Sequence, residues 1–437
     1  MTNVTITAAK GFLAGGAACG IKKSGNPDLG LIVCPTGAKA AAVFTTNKVV
    51  SAAVEVCKRH VKNAEIRAVV VKSGCANACT GVKGVNNAER MCGEAAKALN
   101  LARDTRLLRC ARTDRTGAVC NTRYAGENVL VASTGIIGVQ LPMRKVIAGI
   151  EKAAAKLSAS ASAGLGFVKA IMTTDTKTKQ AVRRLTMDDG GCTSRKRTPG
   201  IKDSVITIAG AVKGAGMIGP NMATTLSFIT TDAAISKPLL TAALKRAVGD
   251  SLNKLTVDGH QSTNDTCIIL ASGLAGNRPI TSQCPRYRRF AKVLAELCDD
   301  LARQMAHDAE GATRIFKVVV TGAATKADAA RAARAVADYP LVKCAVHGGD
   351  PNWGRIICAV GSVGVKLNPD RLSCRLDDIT VFKNGAPRKF DAKKASKVVS
   401  QKEHRISVDL GAGRASDFCY GCDLSAEYVK INAEYHT

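Results

Sequence analysis

The stretch KGAGMIGPNMATTLSFITTD, residues 213–232, places a threonine between a small residue and an apolar run, shortly after three glycines. Cleavage of the chain before Thr224 would expose an α-amino group beside the hydroxyl of the same residue. An N-terminal threonine with these two groups is a nucleophile that its own amine can activate. Thr224 has a second interpretation, because threonines before apolar residues are common strand positions and helix N-caps. The rest of the sequence has to decide between the two.

The composition is that of a globular chain. Of the 437 residues, 46% are hydrophobic, and the length predicts two to three domains or one large two-part body. No run reaches the roughly 18 apolar residues that a membrane span needs. The first residues also lack the charged region, continuous apolar stretch and cleavage site of a signal peptide. We therefore expect a cytoplasmic protein.

The seventeen cysteines are scattered through apolar segments, where a free cysteine behaves as a small buried hydrophobic residue. The two closest pairs, Cys75 with Cys79 and Cys419 with Cys422, lack the second pair or the histidines of a zinc finger. We expect reduced thiols and no structural metal.

Lysine and arginine outnumber aspartate and glutamate by 63 to 35, so nucleic acid and anionic membranes have to be considered as partners. The basic residues are spread over the whole chain, and aromatic residues make up only 4%, which is few for a base-stacking platform. The sequence thus favours a solvated basic surface with no dedicated nucleic-acid or membrane partner. A basic nucleic-acid-binding protein remains an alternative.

The hydrophobic periodicity predicts an α/β fold. Val- and Ile-rich runs indicate strands at 68–71, 129–132, 204–212, 267–271 and 316–320. Helices are predicted at 86–100, where Asn86 and Glu89 resemble a capping box, at 143–157, and around an apolar face that runs from Phe290 to Met305. Polar stretches at 189–203 and 273–286 are candidate linkers. The Arg-rich segment 103–127 resembles a surface insertion.

Nine segments resemble, in order, the ornithine acetyltransferase family, whose members are self-processing enzymes of the cyclic arginine pathway that make N-acetylglutamate. The resemblance runs nearly from end to end of the chain. The segments are NVTITAAKGFLAGGAACGIKKSG (3–25), SGCANACTG (73–81), VLVASTGIIGVQLP (129–142), AIMTTDTKTKQAV (170–182), KGAGMIGPNMATTL (213–226), SLNKLTVDGHQSTNDT (251–266), EGATR (310–314), GGDPNWGRI (348–356) and CDLSAEYVKINAEYHT (422–437).

The resemblance implies a glutamate N-acetyltransferase that passes acetyl from N-acetylornithine to glutamate and releases ornithine. The chemistry of Thr224 suits a ping-pong route through an acetyl-threonine, because an α-amine with a pKa near 8 can take the hydroxyl proton. One amide replaces another, so we expect no cofactor and no metal. Acetyl-CoA as a second donor, which would make the enzyme bifunctional, is left open by the sequence.

Thr134 and Gly135 match the oxyanion pair of the family. They follow the predicted strand VLVA, where a tight glycine turn can aim backbone amides at a developing negative charge. The alternative is an ordinary strand-to-helix turn in which Ser133 or Thr134 caps the next helix.

The resemblance also implies the residues that bind substrate. Lys213 offers a charge for a carboxylate and Glu310 can hold an amine. The remaining members of the set are Thr173, Asn432 and Thr437. Alternatively, Lys213 and Glu310 are surface charges and Asn432 closes a last strand.

Self-cleavage follows from the same chemistry. The hydroxyl of Thr224 would attack the carbonyl of Ala223, and water would open the resulting ester, which gives an alpha chain 1–223 and a beta chain 224–437. The resemblance implies an α-β-β-α layered fold in which the two chains interlock, assembled as an α2β2 heterotetramer. A related self-processing aminopeptidase or amidohydrolase, which passes its acyl group to water, remains the alternative enzyme.

Several positions depart from the family pattern, among them the stretch 418–421 before the last matching segment. Lys72 and Cys75 stand where asparagines are usual, His260 and Gln261 replace Asp and Thr, and Gly219 replaces an alanine. None of them is a candidate site residue. The extra positive charge of Lys72 is expected to lie near the anionic substrate.

Overall fold

The structure, a computed structural model, describes residues 4–104, 123–187, 204–219 and 225–434. The strands are β1 (Leu13–Ala17), β2 (Leu29–Phe44), β3 (Ile66–Lys72), β4 (Val129–Ser133), β5 (Lys179–Met187), β6 (Ser204–Lys213), β7 (Leu226–Thr231), β8 (Thr266–Ala271), β9 (Ile315–Ala323), β10 (Ser373–Leu376), β11 (Ile379–Lys383), β12 (Ala386–Pro387), β13 (Glu403–Asp409) and β14 (Ala415–Cys422). The helices are α1 (Ala52–His60), α2 (Gly81–Asp104), α3 (Met143–Ala154), α4 (Ala161–Ile171), α5 (Lys237–Gly249), α6 (Pro285–His307), α7 (Lys326–Asp338), α8 (Pro340–Gly348), α9 (Trp353–Gly361), α10 (Ala392–Val399) and α11 (Ala426–Glu434).

All five predicted strands are present, as β3, β4, β6, β8 and β9, and the mixed α/β class is confirmed. Every residue of β3, β4 and β8 is buried. Strands that are covered on both faces are continuously apolar rather than alternating, which is why these runs were recognisable in the sequence.

Three predicted helix boundaries are wrong, one of which is the end of α2 at Asp104 rather than at residue 100. Helix α2 begins at Gly81 rather than Asn86, because the preceding turn already starts it: the Gly84 amide donates to the Thr80 carbonyl (3.2 Å), and the Asn77 amide group donates to the Gly84 carbonyl (2.9 Å). Helix α3 ends at Ala154, three residues before the predicted end. The apolar face of α6 is confirmed, with Phe290 and Met305 both buried.

An eight-stranded sheet forms the larger part of the fold, in the order β4-β3-β2-β8-β7-β6-β5, with β1 paired to β2. Strand β2 joins its two halves, because the register of β2 with β3 shifts between Val33 and Ala38, and the stretch from Lys39 pairs with β8. Strands β6 and β7 pair antiparallel, with Lys213 opposite Leu226. Residues before and after position 224 therefore lie in one sheet.

Alternating side chains in the second half of this sheet pack into two different hydrophobic clusters. Phe228, Ile268 and Leu270 pack into a cluster with β1–β4 and helices α1–α4, where the Phe167 and Phe228 rings meet edge to face at 5.4 Å. Ile229 and Ile269 face the opposite way and pack against α5 and α6. The β5–β8 half thus has helices on one face and the first half of the sheet on the other.

A six-stranded sheet, β12-β11-β10-β13-β9-β14, forms the smaller part and packs against helices α7–α10 around a third cluster. It is tied to the larger part at β14, where the Thr256 amide donates to the Tyr420 carbonyl (2.9 Å). Among the described residues, no helix is both long and apolar enough to cross a membrane.

The predicted linker 189–203 and most of the predicted insertion 103–127 lie outside the described residues. At the end of the insertion, Tyr124 is buried and its amide donates to the Asn100 side chain (2.9 Å). The other predicted linker, 273–286, is the connection between β8 and α6.

Gly16 in β1 is expected to accept no side chain. A Cβ atom there would lie 2.1 Å from the Gly166 carbonyl oxygen in α4. We expect Gly16→Ala to lower the free energy of unfolding by about 1–3 kcal/mol, measured by urea denaturation. The control is Gly93→Ala in α2, where a Cβ meets nothing within 4 Å, and this change should raise stability by about 0.5–1 kcal/mol. Wild-type stability of Gly16→Ala would contradict this close packing.

Candidate active site

A cavity of about 140 Å³ gathers the candidate residues that the structure describes. The ends of β4 and β6 and the start of β7 lie around the cavity. Thr225, the residue after Thr224, is part of its wall. Six predicted site residues line it: Thr134, Gly135, Thr173, Lys213, Glu310 and Asn432. Ala223, Thr224 and Thr437 lie outside the described residues.

The turn at Thr134 and Gly135 leaves two hydrogen-bond donors free. Gly135 has a φ of 123°, and a Cβ there would lie 2.4 Å from the Gly74 carbonyl carbon, so only glycine fits. The Thr134 amide donates to the Lys72 carbonyl (3.1 Å), so its expected use as an oxyanion donor is wrong. Among the described residues, the Thr134 hydroxyl and the Gly135 amide have no hydrogen-bond partner.

The alternative interpretation of this turn, as a helix cap, is wrong. The next helix, α3, begins only at Met143, and its N-cap is Pro142. The turn instead packs against the 74–76 segment, where the Ala76 amide donates to the Ile136 carbonyl (2.7 Å). Its shape is thus set by a neighbouring loop.

Asn264 holds these two loops together and was not predicted as a site residue. Its side-chain amide donates to the carbonyls of Ala76 (2.7 Å) and Ser133 (2.8 Å), and its Oδ1 accepts the Thr263 hydroxyl (2.6 Å). The residue is buried and lines the cavity. Its one signal in the sequence is a polar position immediately before β8, inside a segment that matches the family.

Lys213 and Thr173 meet on one side of the cavity, with Lys213 Nζ 3.3 Å from Thr173 Oγ1. Burial lowers the pKa of Lys213, while the carboxylates of Asp175 and Asp265 act to raise it. Lys213 is only partly accessible to solvent, so its interpretation as an exposed surface charge is wrong. The arrangement presents one cation and one hydroxyl to a ligand.

Glu310 and Asn432 form a second polar pair, in which Asn432 Nδ2 donates to Glu310 Oε2 (3.0 Å). A Cβ on Gly216 would lie 2.2 Å from the same Oε2, so glycine at that position makes room for the carboxylate. Asn432 belongs to helix α11, which shows that its interpretation as a residue of a last strand is wrong.

Asp258 anchors the loop that follows β6. Its carboxylate accepts the amides of Met217 (2.7 Å) and Ile218 (2.9 Å) and the Tyr428 hydroxyl (3.2 Å). Met217 has a φ of 53°, unusual for a residue with a side chain. At Gly219, a Cβ would lie 2.1 Å from the Gly259 carbonyl carbon, so the alanine of the family pattern does not fit this loop.

Asp265 is a second unpredicted residue of the cavity wall. It is 3% exposed, and in the described part of the chain its Oδ2 has no hydrogen-bond partner. Burial raises the pKa of Asp265 well above its usual range, and Lys213 partly opposes that rise. The cavity wall therefore contains a buried acid in addition to the partly exposed Glu310.

Lys72 is fully buried, and its amine has no hydrogen-bond partner among the described residues. Burial lowers the pKa of Lys72 to about 8. The side chain is not among the residues that line the cavity, and an effect of its charge on an anionic substrate stays a prediction. Of the other departures, His260 is exposed and Gln261 donates to the Thr46 hydroxyl (2.7 Å).

Comparison with known proteins gives a family match over most of the chain. The model of the ArgJ family matches residues 13–437. The arginine biosynthesis bifunctional protein ArgJ of Symbiobacterium thermophilum is 43% identical over 434 residues, which cover 99% of this chain and 98% of that protein. Its namesake in Geobacillus stearothermophilus is 40% identical over 435 residues, which cover 99% and 96%.

Two solved structures are also similar. ArgJ from Bacillus halodurans is 41% identical and covers 48% of this chain and 98% of its own, with a TM-score of 0.47. Ornithine acetyltransferase from Mycobacterium tuberculosis, complexed with ornithine, is 31% identical and covers 51% and 98%, with a TM-score of 0.39.

The protein is an acyltransferase enzyme of arginine biosynthesis. The chain belongs to the ArgJ family, and the resemblance found in the sequence is confirmed.

The buried amine of Lys72 gives a prediction for stability against pH. A lysine whose pKa is lower in the folded state costs stability while it is charged, and the cost disappears as pH rises from about 8 toward the unfolded value of about 10.4. We expect Lys72→Met to be more stable than the wild type at pH 7, by about 3 kcal/mol at most.

Urea unfolding of both proteins at pH 7 and pH 10 checks this, and the advantage of Lys72→Met should shrink at pH 10. Lys39→Met, which changes an exposed lysine of β2, serves as the control and should show no such dependence. An equal advantage of Lys72→Met at both pH values would contradict the burial of a charged amine.

Asn264 is expected to act on catalysis through the turns that it joins. In Asn264→Ala the carbonyls of Ala76 and Ser133 lose their donor, and the turn at Thr134 and Gly135, the predicted oxyanion pair, loses its connection to the 74–76 segment. We expect a fall in kcat of about 10²–10³, which is the effect of losing one oxyanion donor. The control is Asn277→Ala, another buried asparagine that bonds the carbonyls of Ala234 (3.2 Å) and Arg278 (2.9 Å), away from the cavity. Asn277→Ala should lose as much stability as Asn264→Ala but keep the wild-type kcat. Equal losses of kcat in the two variants would contradict the specific role of Asn264.

Proposed function

We propose that this enzyme transfers the acetyl group of N-acetylornithine to glutamate, through an acetyl ester of Thr224, after cleavage between Ala223 and Thr224. One observation carries the proposal. The family resemblance selects residues from separate segments of the chain, and six of these residues line a single cavity. Thr225, the chain neighbour of the proposed nucleophile, lines the same cavity.

In the first half-reaction, the α-amine of Thr224 takes the proton of its own hydroxyl, and the hydroxyl oxygen attacks the acetyl carbonyl. The negative charge that develops on the carbonyl oxygen is stabilised by the free donors, the Thr134 hydroxyl and the Gly135 amide. Collapse of the tetrahedral intermediate breaks the amide bond. The leaving nitrogen takes the proton from the α-amine, and ornithine departs.

In the second half-reaction, the neutral amine of glutamate attacks the ester carbonyl. The same two donors stabilise the second oxyanion, and the α-amine of Thr224 takes a proton from the attacking nitrogen. Collapse breaks the ester bond, and the α-amine gives that proton to the departing Thr224 oxygen. The product is N-acetylglutamate. An amide bond is broken and an amide bond is formed, so the cycle needs no ATP, and we propose that it needs no cofactor or metal.

The polar pairs of the cavity supply recognition. Lys213, with Thr173 beside it, binds the carboxylate that both substrates carry. Glu310, oriented by Asn432, binds the cationic side chain of ornithine. Thr437 completes the set as the family resemblance implies.

The fold supports the proposed maturation. Cleavage gives chains 1–223 and 224–437, whose strands β6 and β7 are neighbours in one sheet. The ladder of β2 with β8 joins the same two parts a second time. We propose that the chains stay interlocked in the α-β-β-α layered arrangement and assemble as an α2β2 heterotetramer in the cytoplasm.

We also propose that acetyl-CoA is a second acetyl donor. The support is that the two ArgJ relatives named above are called bifunctional. The same acetyl-Thr224 would then form by attack on a thioester, with CoA as the leaving group. Acetylation of glutamate in the absence of N-acetylornithine tests this donor.

The cleavage site is tested by intact mass. We expect two fragments that meet between residues 223 and 224 in the wild type, and a single chain of about 45.5 kDa in Thr224→Ala without acetyl transfer. Thr225→Ala is the control, because Thr225 is already fixed in the sheet, where its carbonyl accepts the Thr266 amide (2.9 Å), and it should still be cut. An uncut wild type would overturn the proposed nucleophile. Release of acetate without a need for glutamate would favour the aminopeptidase or amidohydrolase alternative.

A further inference from the structure

Three buried charged residues form an ion cluster behind the substrate-binding side of the cavity. Lys179 Nζ lies 2.5 Å from Asp175 Oδ1 and 2.5 Å from Asp308 Oδ2. The exposed fractions of the three side chains are 2%, 0% and 4%. The cluster pairs two carboxylates with one amine.

Asp175 fixes the positions of both residues that face the substrate carboxylate. Its Oδ2 accepts the Thr173 amide (2.8 Å), and its Oδ1 accepts the amide of Gly214, the residue after Lys213 (2.7 Å). The carboxylate thus joins the loop after α4 to the end of β6. A shift of Asp175 would move Thr173 and Lys213 together.

Asp308 extends the connection to the Glu310 side. Its carboxylate accepts the Thr176 hydroxyl and the Thr176 amide (3.1 Å), and it lies two residues before Glu310 in the chain. The Glu310 amide in turn donates to the Ala215 carbonyl (2.9 Å). Three chain segments of the cavity are therefore held by one cluster.

The cluster also balances the charge of Lys213. That amine is buried, and the carboxylates of Asp175, Asp265 and Glu310 favour its charged form, whereas Lys179 and the nearby Lys22 oppose it. Because Lys179 is already paired with two carboxylates, the cluster keeps a net negative charge beside Lys213.

We propose that Asp175, held by Lys179 and Asp308, is a positioning residue that places Thr173 and Lys213 for carboxylate binding. The inference rests on the proposed function, in which Lys213 binds the substrate carboxylate. Asp175 touches no substrate and acts through its two neighbours.

Steady-state kinetics of Asp175→Asn as a function of pH test this role. We expect KM for N-acetylornithine to rise at least tenfold and kcat to change by less than threefold. The loss of Asp175 lowers the pKa of Lys213, so the alkaline limb of 1/KM should move to lower pH. A merely structural role would lower the melting temperature without moving that limb.

The matched control is Asp300→Asn. Asp300 in α6 pairs with Arg183 in β5 at 2.9 Å, so it is also an aspartate in an ion pair, but both side chains are 37% exposed. Its KM and pH profile should stay at the wild-type values. If Asp175→Asn does not fold, Asp308→Asn, which leaves the bond between Asp175 and Lys179, decides the question and should change KM in the same direction.

The outcomes separate this inference from the proposed function. An active wild type whose folded Asp175→Asn variant has unchanged KM and an unchanged alkaline limb overturns the inference alone. If Asp175→Asn does not fold, Asp308→Asn is measured instead. An unchanged KM and an unchanged alkaline limb of 1/KM in that variant also overturn the inference alone. A wild type that transfers no acetyl group overturns the proposed function, and the inference with it.

Discussion

The pairing of β6 with β7 is the constraint on which the rest of the site depends. Lys213 ends one strand and lies opposite Leu226 at the start of the other, so the two strand ends lie side by side at the cavity. The glycines and Asp258 shape the first part of that return. Asp175 holds the end of β6 at Gly214, and the Glu310 amide bonds the Ala215 carbonyl in the same loop. Asn264 joins the turn after β4 to the 74–76 segment.

The sequence predicts those parts of the fold that depend on local pattern. The continuous apolar runs of β3, β4 and β8 identify strands because both faces of each strand are covered. The predicted start of α2 is wrong because Asn86 and Glu89 have the spacing of a capping box but lie inside the helix. The turn before Gly81 has already started that helix.

The candidate site could likewise be predicted only in part. Residues such as Lys213 and Glu310 were selected by family resemblance, and the structure places them in one cavity. The sequence does not predict Asn264 and Asp175, because their contacts are with segments distant in the chain. Asn264, for example, donates to the Ser133 carbonyl, and Asp175 accepts the Gly214 amide. The Thr134 amide was misassigned for a related reason, since its partner, the Lys72 carbonyl, lies on a neighbouring strand.

The shared sheet has a consequence for reversibility. While the chain is continuous, β6 and β7 find each other as neighbours along one polymer, at the small entropic cost of closing a short loop. After a cut before Thr224, the same ladder would join two separate molecules, and reassembly from the unfolded state would depend on protein concentration. The mature enzyme would then be protected by the slowness of its unfolding rather than by its ability to refold.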